Sequence, residues 1–283
     1  MNKLNIGFIG FGLIGGSIAK AVKAVHPEYI ITVTSRTLAP LELAKKEKIV
    51  DIIAPEPDSN FSDCDMIFLC TPVITITKYL KVLKKIKKPS CIITDVGSVK
   101  GYIHEAVNEL GMQDCFIGGH PMAGSEKTGY KNSSKEILVN AKYVITPSEN
   151  VKPEQIELYK SLIEEMKAIP VIMDYNLHDY TVAGISHLPH LASACLARLV
   201  MEADDKETHM HLLASTGFKD TTRIAASSPE MWEQICATNT QPITELLGKY
   251  IDLLTSVKTS LENNSPDAVR KLFSETKEYR ETF

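Results

Sequence analysis

The stretch Leu4-Asn5-Ile6-Gly7-Phe8-Ile9-Gly10-Phe11-Gly12-Leu13-Ile14-Gly15 decides the fold. Residues 4–9 read as a buried strand, and a glycine run follows at once. Beyond it, Ile14, Ile18, Ala21, Val22 and Val25 recur at helical spacing. The G-x-G-x-x-G pattern therefore stands between a strand and a helix, the setting in which it binds a dinucleotide rather than merely turning the chain. Gly10 permits the tight turn, Gly12 lets a pyrophosphate approach the backbone, and Gly15 lets helix and strand pack closely. The helix N-terminus, at Leu13 and Ile14, then faces the phosphates.

Residues 30–33 read as the second strand. An enzyme that binds NAD commonly carries an acid about 20 residues past the fingerprint, for the ribose 2′-hydroxyl. Here that place holds Ser35, followed by Arg36. Serine and guanidinium suit a 2′-phosphate, so NADP is expected over NAD. The alternative is an Arg36 that stacks on adenine or faces solvent while NAD binds.

Strands are expected over 66–70, which ends at Thr71-Pro72 beside the cofactor, and over 91–94, 115–117, 142–147 and 169–173. Helices are expected over 73–86, 99–110 and 153–167. This alternation predicts an α/β protein with a doubly wound, mostly parallel sheet of Rossmann type. The dinucleotide-binding domain is placed at residues 1–175. From 176 on, strand signals vanish, so residues 176–283 are expected to form an all-helical substrate and dimerisation domain. One long helix over 177–202 should kink at Pro189, and helices over 235–261 and 266–279 complete it.

Of 283 residues, 44% are apolar and 23% charged, as in a soluble globular protein. A net charge of -4, with no long basic run, argues against a nucleic-acid partner. No apolar stretch is long enough to span a bilayer, and the glycine-broken first run is no signal peptide. Six cysteines stand far apart without a C-x-x-C pair, which fits reduced core thiols in a cytoplasmic protein.

Gly118-Gly119-His120-Pro121-Met122-Ala123-Gly124-Ser125-Glu126 follows the strand at 115–117. Its glycines and proline predict a sharp loop at the carboxyl end of the sheet, where open α/β folds put ligands. His120 is the candidate for chemistry, against a turn histidine that only caps a strand. Ser98 stands where a strand gives way to a helix, either capping that helix or pointing into the cleft beside His120.

His187 and His190 share a helix face. No convincing Cys or carboxylate set joins them, so no metal is expected. His190 reads as a histidine satisfied by backbone, and His187 as a cleft residue opened by the kink. Gly217 marks a turn, and Lys219 and Arg223, at i and i+4, suit an anion clamp as well as a solvated face. Trp232 either walls a substrate pocket or packs in the core. Apolar stripes on the later helices exceed what one subunit buries, so a homodimer is expected.

Taken together, these segments resemble the prephenate/arogenate dehydrogenase family of tyrosine biosynthesis. The resemblance rests on GFGLIGGS from Gly10, DVGSVKG from Asp95, GGHPMAGSEKTG from Gly118, His178-Asp179-Tyr180, SHLPH from Ser186, GFKDTTRIA from Gly217, and Met231-Trp232. It implies a nucleotide-binding domain followed by a helical dimerisation domain. It also implies that His120 is the catalytic histidine, with Ser98 close to it and to the substrate hydroxyl. Arg223 would grip a substrate carboxylate, with Lys219 and His187 near. Ser125 and Glu126 would sit at the pocket mouth, Ser125 standing where the family often has threonine. Many members carry an acid at the position of Ser35, and that departure bears on the choice of cofactor.

The implied reaction is oxidative decarboxylation of prephenate to 4-hydroxyphenylpyruvate, with arogenate as the alternative substrate. Some relatives add a C-terminal regulatory domain. None is expected here, so any feedback by tyrosine would act at the active site. Two rival readings remain: another two-domain nicotinamide dehydrogenase, and a non-catalytic dinucleotide sensor. The sensor has no need of His120, Ser98 and Arg223 together.

Overall fold

The structure, a computed structural model, describes residues 3–124 and 127–283. Among them, eight strands form one sheet: β1 (Asn5–Ile9), β2 (Ile30–Thr34), β3 (Ile52–Ile53), β4 (Met66–Leu69), β5 (Ile92–Asp95), β6 (Phe116–Pro121), β7 (Lys142–Pro147) and β8 (Ile169–Ile172). Their order across the sheet is β3-β2-β1-β4-β5-β6-β7-β8. Neighbours run parallel except β6 and β7, which are antiparallel. β4 and β5 are buried along their whole length, because helices cover both faces; this explains their unbroken apolar runs.

One face carries α1 (Leu13–Val25), α2 (Leu38–Lys46) and α5 (Pro153–Glu165), whose apolar residues share a core with Phe8, Val33 and Phe68. The opposite face carries α3 (Val73–Ile86) and α4 (Gly101–Glu109), packed on Ile9, Ile67 and Ile93. The rest of the chain is helical: α6 (Tyr175–Val182), a π-helical turn (Ala183–His187), α7 (Leu188–Ala203), α8 (His209–Leu213), α9 (Thr216–Thr222), α10 (Pro229–Thr238), α11 (Thr240–Glu262) and α12 (Pro266–Arg280). Ala183, Ile235 and Ile243 join the core beneath α3 and α4, so this half docks on that face.

Four expectations are corrected. No sharp loop surrounds His120: β6 runs through it to Pro121, with His120 opposite Val144 of β7. The antiparallel partner supplies a ladder that the glycines were expected to break. Gly118 and Gly119 serve close packing instead, since a Cβ at Gly119 would lie 2.4 Å from the Tyr159 hydroxyl.

The long helix over 177–202 is not kinked at Pro189 but interrupted upstream by the π turn. Pro189 sits in the first turn of α7, where its missing N–H is tolerated. The helix expected over 235–261 is broken at Asn239, which ends α10 and precedes α11. Gly217 lies inside α9 and makes no turn.

Cys64, Cys91 and Cys115 are buried free thiols, whereas Cys195 on α7 is exposed. No helix is long and apolar enough to cross a membrane among the described residues. α11 and α12 leave Ile251, Leu253, Leu254, Leu261 and Phe273 more than half exposed.

Candidate active site

The strand order reverses between β1 and β4, and open α/β sheets bind ligands in the crevice at such a point. Both stretches expected at the cofactor meet there. Gly10 leaves β1 with a φ of +88°, in the left-handed region that only glycine enters freely. Its amide donates to Thr34 O at 2.9 Å, which ties the turn to β2. A Cβ on Gly15 would lie 2.9 Å from Gly10 O and 3.2 Å from Cys70, so α1 packs against the end of β4 as the fingerprint requires.

Around Gly12, in contrast, a Cβ would meet nothing within 4 Å. Gly12 caps α1 without any side-chain hydrogen bond, so the first-turn N–H groups at Leu13 and Ile14 have no side-chain acceptor. The Thr71 hydroxyl is buried without a partner among the described residues, and Pro72 begins α3 beside it. An open glycine, an uncapped helix start and an orphaned hydroxyl fit a pyrophosphate and its sugar. Ser35 is half-buried just past β2, and Arg36 is exposed.

His120 lies at the carboxyl end of β6, two strands beyond β4 in the sheet. Its position depends on Asp95, at the end of β5. β5 pairs with β6 only at Phe116 and Ile117. Beyond that, the Asp95 carboxylate replaces the ladder, accepting from Gly119 N at 3.1 Å and Gly97 N at 2.7 Å. The fully buried Lys100 ammonium pairs with Asp95 and donates to Gly119 O at 2.8 Å. Burial lowers the Lys100 pKa, while Asp95 opposes that shift.

The His120 imidazole meets a second ring. His120 Nδ1 lies 2.8 Å from His178 Nε2, and His178 Nδ1 lies 2.7 Å from Asp179 Oδ1. Asp179 also accepts from Lys100 N and Gly101 N, each at 2.7 Å, and so caps α4 from the helical half. The cap expected of Ser98 is therefore made by Asp179. Ser98 is half-buried and forms no hydrogen bond among the described residues. Desolvation, then the nearby His178, Lys100 and His187, hold the His120 pKa well below the usual imidazole range. His120 is thus neutral near pH 7, with Nε2 unpartnered among the described residues.

His187 ends the π turn and is 1% exposed, buried rather than open to a cleft as expected. Its Nδ1 lies 3.0 Å from Asn239 Nδ2, which also donates to Asp179 O at 2.9 Å. Burial lowers the His187 pKa to about 4. His190 is held by backbone as expected, with Nδ1 2.8 Å from Ser186 O. Trp232 packs edge-on against His187 and at 4.2 Å from the His190 ring. Its buried indole N–H has no partner among the described residues.

Arg223 opens a short 3-10 turn, through Ala226, that packs on α7; Lys219 lies one turn earlier on α9. Both are exposed, and neither hydrogen-bonds to the His120 cluster. Ser125 and Glu126 lie outside the described residues. The structure thus brings together His120, His187 and Trp232 with four residues not singled out as site residues by the sequence: His178, Asp179, Lys100 and Asn239. The first two were legible as a polar pair opening an apolar helix; Asn239 carried no signal.

Residues 18–172 match the nucleotide-binding domain of prephenate dehydrogenase, and residues 174–275 match its dimerization domain. Prephenate dehydrogenase of Bacillus subtilis is 31% identical over 274 residues, covering 96% of this chain and 74% of that protein. A prephenate dehydrogenase from A. aeolicus, solved with hydroxyphenyl propionate and NAD+, superposes with a TM-score of 0.93 at 28% identity, covering 100% of this chain and 99% of that one. Arogenate dehydrogenase of Synechocystis superposes with a TM-score of 0.87 at 32% identity, covering 99% of each. With a nucleotide cradle at the sheet's switch point, a partly buried imidazole at the carboxyl end of β6 and both domains matched, the chain belongs to the prephenate dehydrogenase family.

Proposed function

We propose that the protein oxidises prephenate to 4-hydroxyphenylpyruvate, with loss of carbon dioxide and reduction of a nicotinamide dinucleotide. The observation that carries this reading is a His120 with one nitrogen held by His178 and the other without a partner among the described residues, in surroundings whose burial lowers its pKa. Such an imidazole accepts a hydrogen bond from the ring hydroxyl at Nε2 and takes its proton as the carbonyl forms. When bound, the cofactor accepts the hydride from the carbon bearing that hydroxyl. Ser98 orients the hydroxyl. Loss of carbon dioxide then gives an aromatic ring.

Prephenate carries two carboxylates, so a chain of net charge -4 needs local cations. Arg223 provides a fork for one carboxylate, supported by its exposure and its lack of an ion pair among the described residues. Lys219 stands one turn away. Gly217, His187, Trp232, Ser125 and Glu126 are assigned to the surrounding pocket. We assign the dinucleotide to Gly10, Gly12, Leu13, Ile14, Gly15, Thr71 and Pro72, and propose that Ser35 and Arg36 favour NADP.

The division at residue 175 is retained, supported by the end of the last strand at Ile172. A homodimer through α11 and α12, in the cytoplasm, completes the proposal. The second reading, oxidation of arogenate, is favoured by the 32% identity to the arogenate dehydrogenase of Synechocystis.

The test is reduction of NAD and of NADP with prephenate and with arogenate, four combinations in all. Turnover with prephenate is expected, with a higher kcat/KM for NADP. Turnover with arogenate alone replaces the first reading by the second. A clear NAD preference removes the role given to Ser35 and Arg36. No reduction in any combination overturns the whole proposal.

A further inference from the structure

The polar groups around His120 come from both halves of the chain. His120, Asp95 and Lys100 belong to the sheet side, whereas His178 and Asp179 open the helical half on α6. Asp179 receives three donors: Lys100 N, Gly101 N and His178 Nδ1. The two backbone N–H groups can only donate, so the carboxylate has a fixed orientation before His178 is considered. A carboxylate oxygen only accepts, and the proton of His178 must then lie on Nδ1. A His178 whose single ring proton lies on Nδ1 presents a lone pair at Nε2, 2.8 Å from His120 Nδ1. That contact is a hydrogen bond only if His120 carries its proton on Nδ1.

We propose that His178 and Asp179 are positioning residues for His120, holding it in the tautomer with its proton on Nδ1 and its lone pair on Nε2. This rests on the reading of His120 as the base. The relay is built across the junction of the two halves, so the base is assembled only when they dock.

The same geometry explains why so much polarity is buried here. His178 is 0% exposed and Asp179 5%. The pair carries no solvent-facing role and gains every partner it has from the other half, from its own turn or from Asn239. When Nε2 takes the substrate proton, His120 keeps its Nδ1 proton on His178, and no second proton has to move. The Asp179 carboxylate, beyond His178, then faces the new positive charge. The other titratable groups near the pair are Lys100, from the turn before α4, with Asp95 beneath it, His104 on α4, and His187, from the π turn.

Two measurements test this independently of each other. The first is nitrogen-15 NMR of the histidine-labelled whole protein at pH 8, without substrate. Both His120 and His178 are expected as Nδ1-protonated tautomers. A His120 protonated on Nε2 overturns the proposal, whatever reaction the protein catalyses.

The second compares His178→Leu with His178→Gln in steady-state kinetics. The leucine cannot accept from His120, whereas the glutamine carbonyl reaches the same place. His178→Leu is expected to lower kcat by about 30-fold or more while KM stays within about threefold, a large part of the roughly 10²–10⁴-fold that general-base catalysis contributes. His178→Gln should recover most of that loss. If kcat of the leucine variant stays within threefold of the parent, or both variants lose the same amount while remaining folded, the relay is wrong. If the parent protein oxidises neither prephenate nor arogenate, the proposed function falls, and the tautomer measurement alone decides the relay.

Discussion

Gly101 N donates to Asp179 Oδ2 at 2.7 Å, so a carboxylate from the helical half caps the first turn of a helix in the nucleotide-binding half. The contact leaves no room for a side chain. A Cβ at Gly101 would lie 2.9 Å from the same oxygen. Alanine would gain up to about 1 kcal/mol of helix propensity over glycine, but would push Asp179 away from His178. Gly101→Ala should therefore keep its urea midpoint close to that of the parent while kcat falls about tenfold, a modest share of the general-base effect. A variant with parental kcat would show that the Asp179 position does not matter to the reaction.

His120 and Arg223 should fail in different ways. His120→Asn removes the proposed base and should lower kcat by about 10² or more with KM little changed. Arg223→Ala removes a charged donor worth about 1.5–3 kcal/mol, so KM should rise about 10- to 100-fold. Initial-rate kinetics on the preferred substrate separate the two. A normal KM in the second variant removes the clamp.

Gly119 next to His120 has steric work of another kind. An added Cβ would meet the Tyr159 hydroxyl, reaching in from α5, at 2.4 Å and Asp95 O, at the end of β5, at 2.6 Å. Tyr159 is held between Thr94 and Tyr143 by hydrogen bonds of 2.8 and 3.1 Å and cannot step aside. Gly119→Ala should cost about 1–3 kcal/mol or more as an overpacked core. Its urea midpoint, or its solubility on expression, measures this.

His104 and His187 make stability depend on pH. Burial lowers both to about 4 in the folded chain, against about 6.5 when unfolded. Between those values the unfolded chain binds more protons, so stability falls as pH drops from about 6.5 to about 4. Each histidine should remove about 1–2 kcal/mol by pH 5. Urea midpoints at pH 7, 6 and 5 measure the slope. His104→Asn, placed away from His120 against Thr146 and Ser148, should flatten it.

Charge placed on the exposed apolar stripe should split the dimer. Leu254 and Phe273 are 51% and 69% exposed on α11 and α12. Leu254→Glu with Phe273→Glu should shift the mass in light scattering from two chains to one. An unchanged mass would move the interface elsewhere.

The nucleotide-binding half was legible because its signals are local. Strand, glycine turn and helix succeed one another between Leu4 and Val25, and α3 occupies the expected 73–86. His120 was legible as a residue but not as part of a strand, because the partner that makes β6 an extended ladder lies 24 residues later, at Val144. The break at Ala183–His187 follows from Pro189, but a proline does not say which turn upstream widens. Asp179 and Asn239 were hidden for a different reason. Their roles are hydrogen bonds to residues 79 and 52 positions away, and no periodicity records such a distance.

The cap on α4 also limits how such enzymes can be recombined. A chimera that joins this sheet half to a relative's helical half would inherit His120 from one parent and that histidine's support from the other. Crossovers at the junction should work only when the incoming segment brings an acid and an imidazole in the register of Asp179 and His178. The segment around Asn176 behaves less as a spacer between modules than as a seam through the middle of one working part.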